Sequence, residues 1–228
     1  LTGTNAVAGD TVEVLLGGAA FTTPVTYVLQ AADIASNSAS VTIGTNAGWG
    51  ADGSKTLAAR VTDVAGNVGT AGGSLAVTLD TTAPTVSTIA ITSATGTQNN
   101  TLNAGDVVSV TVTMSEATTV TGTPQLALTI GGTTVQANYA SGTGTTALVF
   151  QYTILAGQTD ANGISIGTNS LSLNGGTLTD AAGNAATLTH SAVTDNAGFQ
   201  VDTTAPTVST IAITSATGTQ NNTLNAGD

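Results

Sequence analysis

The stretch DTTAPTVSTIAITSATGTQNNTLNAGD, residues 80–106, decides how the chain divides, because it recurs without a mismatch as residues 202–228. Each copy follows one strand-like run of residues and leads into another. An internal repeat of this kind indicates tandem modules and has to be recognised before a fold class is assigned. The two copies lie 122 residues apart, a spacing that suits one domain per repeat. We interpret the opening DTTAP as a joint between modules, stiffened at Pro84 because proline fixes φ.

The repeat predicts three parts of the chain: a first module over residues 1–80, a second over residues 81–202, and the first strand and turn of a further repeat over residues 203–228. Ala-Gly-Asp opens a strand-like run at both Asp10 and Asp106. A turn role suits both aspartates, with metal ligation as the alternative. We expect the first module to lack its leading strand and the sequence to be part of a longer protein.

Short runs of alternating apolar and polar residues predict the strands. In residues 107–114, Val108, Val110 and Val112 fall on one face, and Ser115 and Glu116 are predicted to end the strand. A short helix is predicted at residues 31–36, and Asn-Gly at residues 174–175 predicts a hairpin. The other predicted strands are residues 11–16, 24–29, 39–43, 55–62, 74–79, 86–92, 125–130, 134–139, 146–155, 171–173, 177–179, 187–190 and 198–201. Roughly seven strands per module predict an all-β protein of tandem immunoglobulin-like Greek-key β-sandwiches in an elongated rod.

Composition argues against several classes of function. Net charge is -11, and Lys55 and Arg60 are the only basic residues, so nucleic acid is an implausible partner. There is no cysteine to form disulfides or thiolate metal sites, and no apolar run of about 18 residues predicts a membrane span. The one histidine, His190, has no companion for a metal trio, and no nucleophile elbow or phosphate loop is present. We therefore expect no enzymatic activity.

The combination of DTTAP joints, Ala-Gly-Asp strand openers, VTVTMSEA and TDVAGN or TDAAGN resembles bacterial immunoglobulin-like tandem repeats. Such repeats occur in large secreted adhesins, biofilm matrix proteins and surface-layer proteins, and the resemblance covers essentially the whole chain. It implies an extracellular or bacterial cell-surface location and a rod in which neighbouring repeats of the same protein are partners. It also implies calcium at the joints.

The placement of acidic residues favours a divalent cation independently, because calcium prefers carboxylate, carbonyl and amide oxygens. In an immunoglobulin topology the joint at Asp80 meets the loops that follow the second and sixth strands. Those loops carry Glu116, Asp180 and Asn184. An Asx turn or a plain strand end is the alternative for each acid. The predicted metal ligands are Asp80, Glu116, Asp180, Asn184, Asp63, Asn67, Asp202 and Asp106.

Three functions remain open at the level of sequence. The first is a structural spacer stiffened by calcium. The second is a self-assembling surface-layer or filament subunit, in which residues 208–213 (VSTIAI) of one chain add as a strand beside residues 11–16 of another. The third is a module that binds carbohydrate or a surface, with Trp49 stacking on a sugar; packing within the protein is the alternative role of Trp49.

Overall fold

The computed structural model describes residue 1, residues 3–212, and residues 223 and 226. Strands dominate this part of the chain, so the predicted all-β class is confirmed. The chain divides into two compact units: an N-terminal unit, Leu1–Ala83 with Ala181–Asn184, and a C-terminal unit, Pro84–Asp180 with Ala185–Asp228. Among the described residues, no helix is long and apolar enough to cross a membrane.

The N-terminal unit is built on one antiparallel sheet of order β2-β1-β3-β4. The strands are β1 (Thr11–Leu16), β2 (Ala19–Val28), β3 (Gly53–Thr62) and β4 (Gly72–Leu79). Helix α1 (Ala31–Ser36), which was predicted at these residues, follows β2. Strand β1 pairs along its length with β2 on one side and β3 on the other, so the sheet edges are β2 and β4.

The connection from α1 to β3 covers the core of this unit. Residues 39–43 form no strand, contrary to the prediction. Val41 and Ile43 instead pack against the buried cluster that contains Phe21, because their apolar side chains contribute more by covering the core than by extending a sheet. Trp49 meets Phe21 edge-on, with ring centroids 5.2 Å apart, which matches the packing role.

The C-terminal unit contains a large sheet of order β12-β8-β9-β10-β7-β13, with β5 also paired to β7, and a small sheet of order β11-β14-β6. Leu102 and Val201 of the small sheet share one buried cluster with Val110 and Phe150 of the large sheet. The core therefore lies between these two layers. The strands are β5 (Val86–Ala94), β6 (Thr101–Leu102), β7 (Val107–Thr121), β8 (Gln125–Ile130), β9 (Thr133–Ser141), β10 (Thr145–Thr153), β11 (Thr159–Asp160), β12 (Leu171–Ser172), β13 (Thr177–Thr179) and β14 (Gln200–Asp202).

Strand β7 pairs with three other strands of the large sheet: β5, β10 and β13. Val108, Val110 and Val112 are all buried on one face, as their alternation predicts. The strand does not end at Ser115 and Glu116, however, but runs to Thr121. The β-branched residues 118–121 suit a strand and pair with β10 and β13. Glu116 had been predicted to lie in the loop after this strand, and it lies within the strand instead.

Of the hairpin predicted around Asn174 and Gly175, the turn forms but the strand pairing does not. Both residues have positive φ, 46° and 78°, so the turn forms. The flanking strands do not pair with each other, because β12 pairs with β8 and β13 with β7. Residues 187–190 were also predicted as a strand, but Thr187 makes only an isolated bridge to Thr85.

The second copy of the repeated segment differs from the first. In the first copy VSTIAI belongs to β5 and pairs with β7. In the second copy residues 208–212 form no strand, and Val208 and Ile211 are 78% and 89% exposed. Ile213, the last residue of the predicted strand, lies outside the described residues. A strand needs a ladder partner, and none of the described residues pairs with residues 208–212.

Candidate metal centre

Three of the predicted ligands come together. Carboxylate oxygens of Asp80, Glu116 and Asp180 lie within 4.8 Å of one another, with Asp180 buried and the other two half-buried. We call these three residues the Asp80 cluster. Calcium binds oxygens at 2.3–2.6 Å, so two ligands of one ion lie at most about 5 Å apart. The spacing of the Asp80 cluster therefore suits a single ion.

Strand pairing positions two members of the cluster. Glu116 is part of β7, and Asp180 directly follows β13. Thr179 of β13 lies opposite Thr119 of β7, which brings Asp180 to the stretch of β7 that carries Glu116. Leu178 is buried in the core and fixes β13 in place. The geometry thus depends on the continuation of β7 beyond Met114.

Asp80 follows β4 and opens the DTTAP segment. One of its carboxylate oxygens, Oδ1, accepts a hydrogen bond from the backbone N–H of Thr82 at 3.1 Å, which is an Asx turn. Asn184 donates from Nδ2 to the backbone carbonyls of Asp80, at 3.1 Å, and Thr82, at 3.4 Å. Asn184 was predicted as a metal ligand; in the structure its amide nitrogen fixes the backbone on either side of Thr81.

Asp52 holds the same segment from another direction, a role that sequence reasoning missed. Its Oδ1 accepts from the Thr81 hydroxyl at 2.8 Å and its Oδ2 from the Thr82 hydroxyl at 2.7 Å. These hydrogen bonds, that from the Thr82 side chain foremost, lower the pKa of Asp52. We call Asp52, Thr81 and Thr82 the Asp52 clamp. The signal in the sequence was the pair of adjacent threonine hydroxyls beside Asp80, which can donate to a carboxylate.

Asp63 and Asn67 are not part of the Asp80 cluster. Asp63 Oδ1 accepts from the backbone N–H groups of Ala65 and Asn67, and its Oδ2 accepts from Asn67 Nδ2 at 2.7 Å. These bonds, led by that from the Asn67 side chain, lower the pKa of Asp63. The pair thus closes its own turn, one of the two roles predicted for it.

Asp106 and Asp202 also lie outside the cluster. Asp106 Oδ2 accepts from the backbone N–H of Asn103 at 2.7 Å and closes the Ala-Gly turn. Asp202 ends β14, and its Oδ1 accepts from the backbone N–H of Thr204 at 2.9 Å. Both aspartates therefore have turn roles.

Two other polar residues stabilise loops of the C-terminal unit. Asp160 is buried and accepts from the backbone N–H groups of Gly131 and Gly163. His190 uses Nε2 to accept from the backbone N–H of Ser170 at 2.7 Å, and its Nδ1 lies 2.8 Å from the carbonyl of Ser191. The histidine is thus engaged at both ring nitrogens.

No model of a known protein family matches this sequence, and no curated protein is significantly similar to it. The chemistry of the site has to be inferred from its residues. The Asp80 cluster offers only oxygen ligands, in a chain with 13 acidic and 2 basic residues. Hard cations such as calcium and magnesium prefer such a donor set. The cluster could therefore hold a metal ion.

Proposed function

We propose that this chain is a structural spacer of an extracellular bacterial adhesin, composed of tandem immunoglobulin-like modules and stiffened by calcium at the Asp80 cluster. The observation that carries the proposal is the approach of three carboxylates to within 4.8 Å. One of them, Asp80, begins the DTTAP segment that repeats along the chain. A spacer of this kind needs rigidity and catalyses no reaction.

Charge explains why a cation would stiffen this segment. Nearby carboxylates repel one another unless a cation or proton neutralises them. A bound calcium ion would link Asp80 to Glu116 and Asp180, and the Asp52 clamp and Asn184 already restrain the backbone next to Asp80. Acidic residues are few in this chain, so their concentration at one point supports a specific use.

The repeat and the resemblance support the location and the partners. An identical segment of 27 residues in two positions fits a chain in which one module is joined to the next in the same way. The resemblance to repeats of secreted adhesins supports a location at the cell surface. Its partners are then neighbouring repeats of the same protein.

Thermal unfolding with excess calcium and with a chelator tests the proposal. A ligand that binds only the folded state stabilises it by about 2.7 kcal/mol at 100 times its Kd. We expect the midpoint of the wild-type chain to rise with calcium and to fall back with the chelator. An unchanged midpoint at saturating calcium would reject calcium as the stiffening ion.

One observation favours a second candidate, a self-assembling surface-layer or filament subunit. Residues 208–212 carry exposed apolar side chains, although the same sequence forms part of β5 in the first copy. Added to a neighbouring chain, this segment would gain a ladder. The segment was predicted to add beside residues 11–16, but β1 is already paired on both sides, with β2 and β3. A strand could add to that sheet only at its edges, β2 and β4.

Light scattering over a range of protein concentrations separates the two candidates. Strand addition predicts oligomers that dissociate when Ile211→Lys places a charge in the added strand. Thr207→Lys, a change at an exposed residue just before the apolar segment, is the control and should leave assembly intact. A wild-type chain that stays monomeric at high concentration argues for the spacer.

A further inference from the structure

A cavity of about 720 Å³ lies entirely within the N-terminal unit. Its polar lining includes Asp10, Arg60, Asp63 and Asn67. None of these residues belongs to the Asp80 cluster. We infer that this cavity is a second site for a hard divalent cation, anchored by the carboxylate of Asp10.

The carboxylate of Asp10 has one oxygen that the protein does not satisfy. Asp10 is 3% exposed, and its Oδ2 accepts from the backbone N–H of Val7 at 2.8 Å. Its Oδ1 is buried and accepts no hydrogen bond from the residues that the structure describes. A buried carboxylate oxygen without a donor or a counter-ion is destabilising. A cation in the cavity supplies the missing interaction.

Asp106 lies in another copy of the Ala-Gly-Asp motif and shows that the motif alone does not leave a carboxylate oxygen buried without a donor. Its Oδ2 makes the equivalent turn bond, to the backbone N–H of Asn103. Asp106 is nevertheless half exposed, so that water reaches it, and its Oδ1 packs against Gly96. The orphan oxygen of Asp10 is therefore a product of its surroundings in the N-terminal unit.

Asp63 and Asn67 bring further oxygens to the same cavity. Asp63 Oδ2 accepts one hydrogen bond, from Asn67 Nδ2, and a carboxylate oxygen has room for a second partner. Asn67 uses its amide nitrogen in that bond, and its amide oxygen remains for a cation. Calcium takes carboxylate, amide and water oxygens in irregular sets, which suits a wide cavity with few fixed ligands.

The positive charge in the lining does not oppose this assignment. Arg60 Nη2 lies 2.7 Å from Glu13 Oε2, and Arg60 Nε also donates to that oxygen. Arg60 is thus neutralised by Glu13 across the β1–β3 pair. Leu1 also lines the cavity, and its α-ammonium group donates to the backbone carbonyl of Asn37 at 2.8 Å. Asp10 and Asp63 supply the negative charge of the lining.

Calcium titration of the full chain by calorimetry tests the inference, with Asp10→Asn and its matched control Asp106→Asn. Asparagine still accepts the turn hydrogen bond through its oxygen, so both turns persist. Asp10→Asn should lose one calcium per chain and Asp106→Asn none. In chelator, Asp10→Asn should be at least as stable as wild type, since a buried charge is gone. Wild-type stoichiometry in Asp10→Asn would overturn the inference.

Two controls keep the result decisive. Asp80→Asn should abolish calcium binding at the Asp80 cluster and leave calcium binding at Asp10 unchanged. The two sites can therefore be rejected independently of each other. If Asp10→Asn does not fold, an anomalous-difference map of the wild-type chain crystallised with calcium replaces it. A peak about 2.5 Å from Asp10 Oδ1 supports the site, and its absence at saturating calcium rejects it.

Discussion

The two copies of the 27-residue segment have the same sequence and different surroundings. In the first copy, Asp80 is half-buried with Glu116 and Asp180, and the following apolar residues pair with β7. In the second copy, Asp202 is exposed, and residues 208–212 form no strand. Each aspartate makes the same Asx turn, to Thr82 at 3.1 Å or Thr204 at 2.9 Å. The segment therefore specifies its own turn, while its strand and its cluster depend on partners elsewhere in the chain.

The largest difference is that the apolar residues after the turn form a strand in the first copy and none in the second. The matched substitutions Ile89→Ala and Ile211→Ala measure its effect on stability. Ile89 packs against the core of the C-terminal unit, whereas Ile211 is 89% exposed. We expect Ile89→Ala to lower the free energy of unfolding by about 2 kcal/mol and Ile211→Ala to change it by less than about 0.5 kcal/mol. Urea denaturation of both variants measures this; equal losses would mean that residues 208–212 are packed as well.

The Asp52 clamp gives a smaller difference between the copies. The Thr82 hydroxyl donates to Asp52, while the hydroxyl of Thr204 donates to no described side chain. Thr82→Val should lower the thermal midpoint, by less than Ile89→Ala does, and Thr204→Val should leave it unchanged. If the two valine variants melt alike, the clamp does not stabilise the first copy.

Acid sensitivity is the smallest expected effect and isolates Asp52. Its folded pKa is lowered below the ordinary 3.8 by the threonine hydrogen bonds, so its contribution is fully present above that value and is lost as pH falls through the folded pKa. As the pH is lowered from neutral through the folded pKa of Asp52, wild type should therefore lose more stability than Asp52→Asn. Parallel pH profiles would show that the clamp does not perturb Asp52.

Local patterns predicted the parts of the fold that are decided locally. Strands β1 and β8 and helix α1 have the bounds that periodicity indicates. Which strands pair with each other was not predictable from local patterns. The end of β7 was placed too early because residues 115–117 break the valine alternation, although pairing with β10 and β13 carries the strand on.

The same distinction applies to the candidate site. The approach of Asp80, Glu116 and Asp180 was predicted, since all three were expected at strand ends near the joint, although Glu116 reaches the cluster from within β7. Asp52 was missed because its partners, Thr81 and Thr82, are far from it in sequence. The orphan oxygen of Asp10 was equally invisible, because Asp106 has the same local motif and a different environment.

Calcium binding to the matched variants Asp80→Asn and Asp202→Asn tests the central claim most directly. Both substitutions keep an oxygen for the Asx turn and remove one negative charge from the same local sequence. Calorimetric titration should show that Asp80→Asn loses one calcium ion per chain and the corresponding gain in thermal midpoint, while Asp202→Asn retains both. Equal calcium binding by the two variants would contradict the claim that the Asp80 cluster holds the ion.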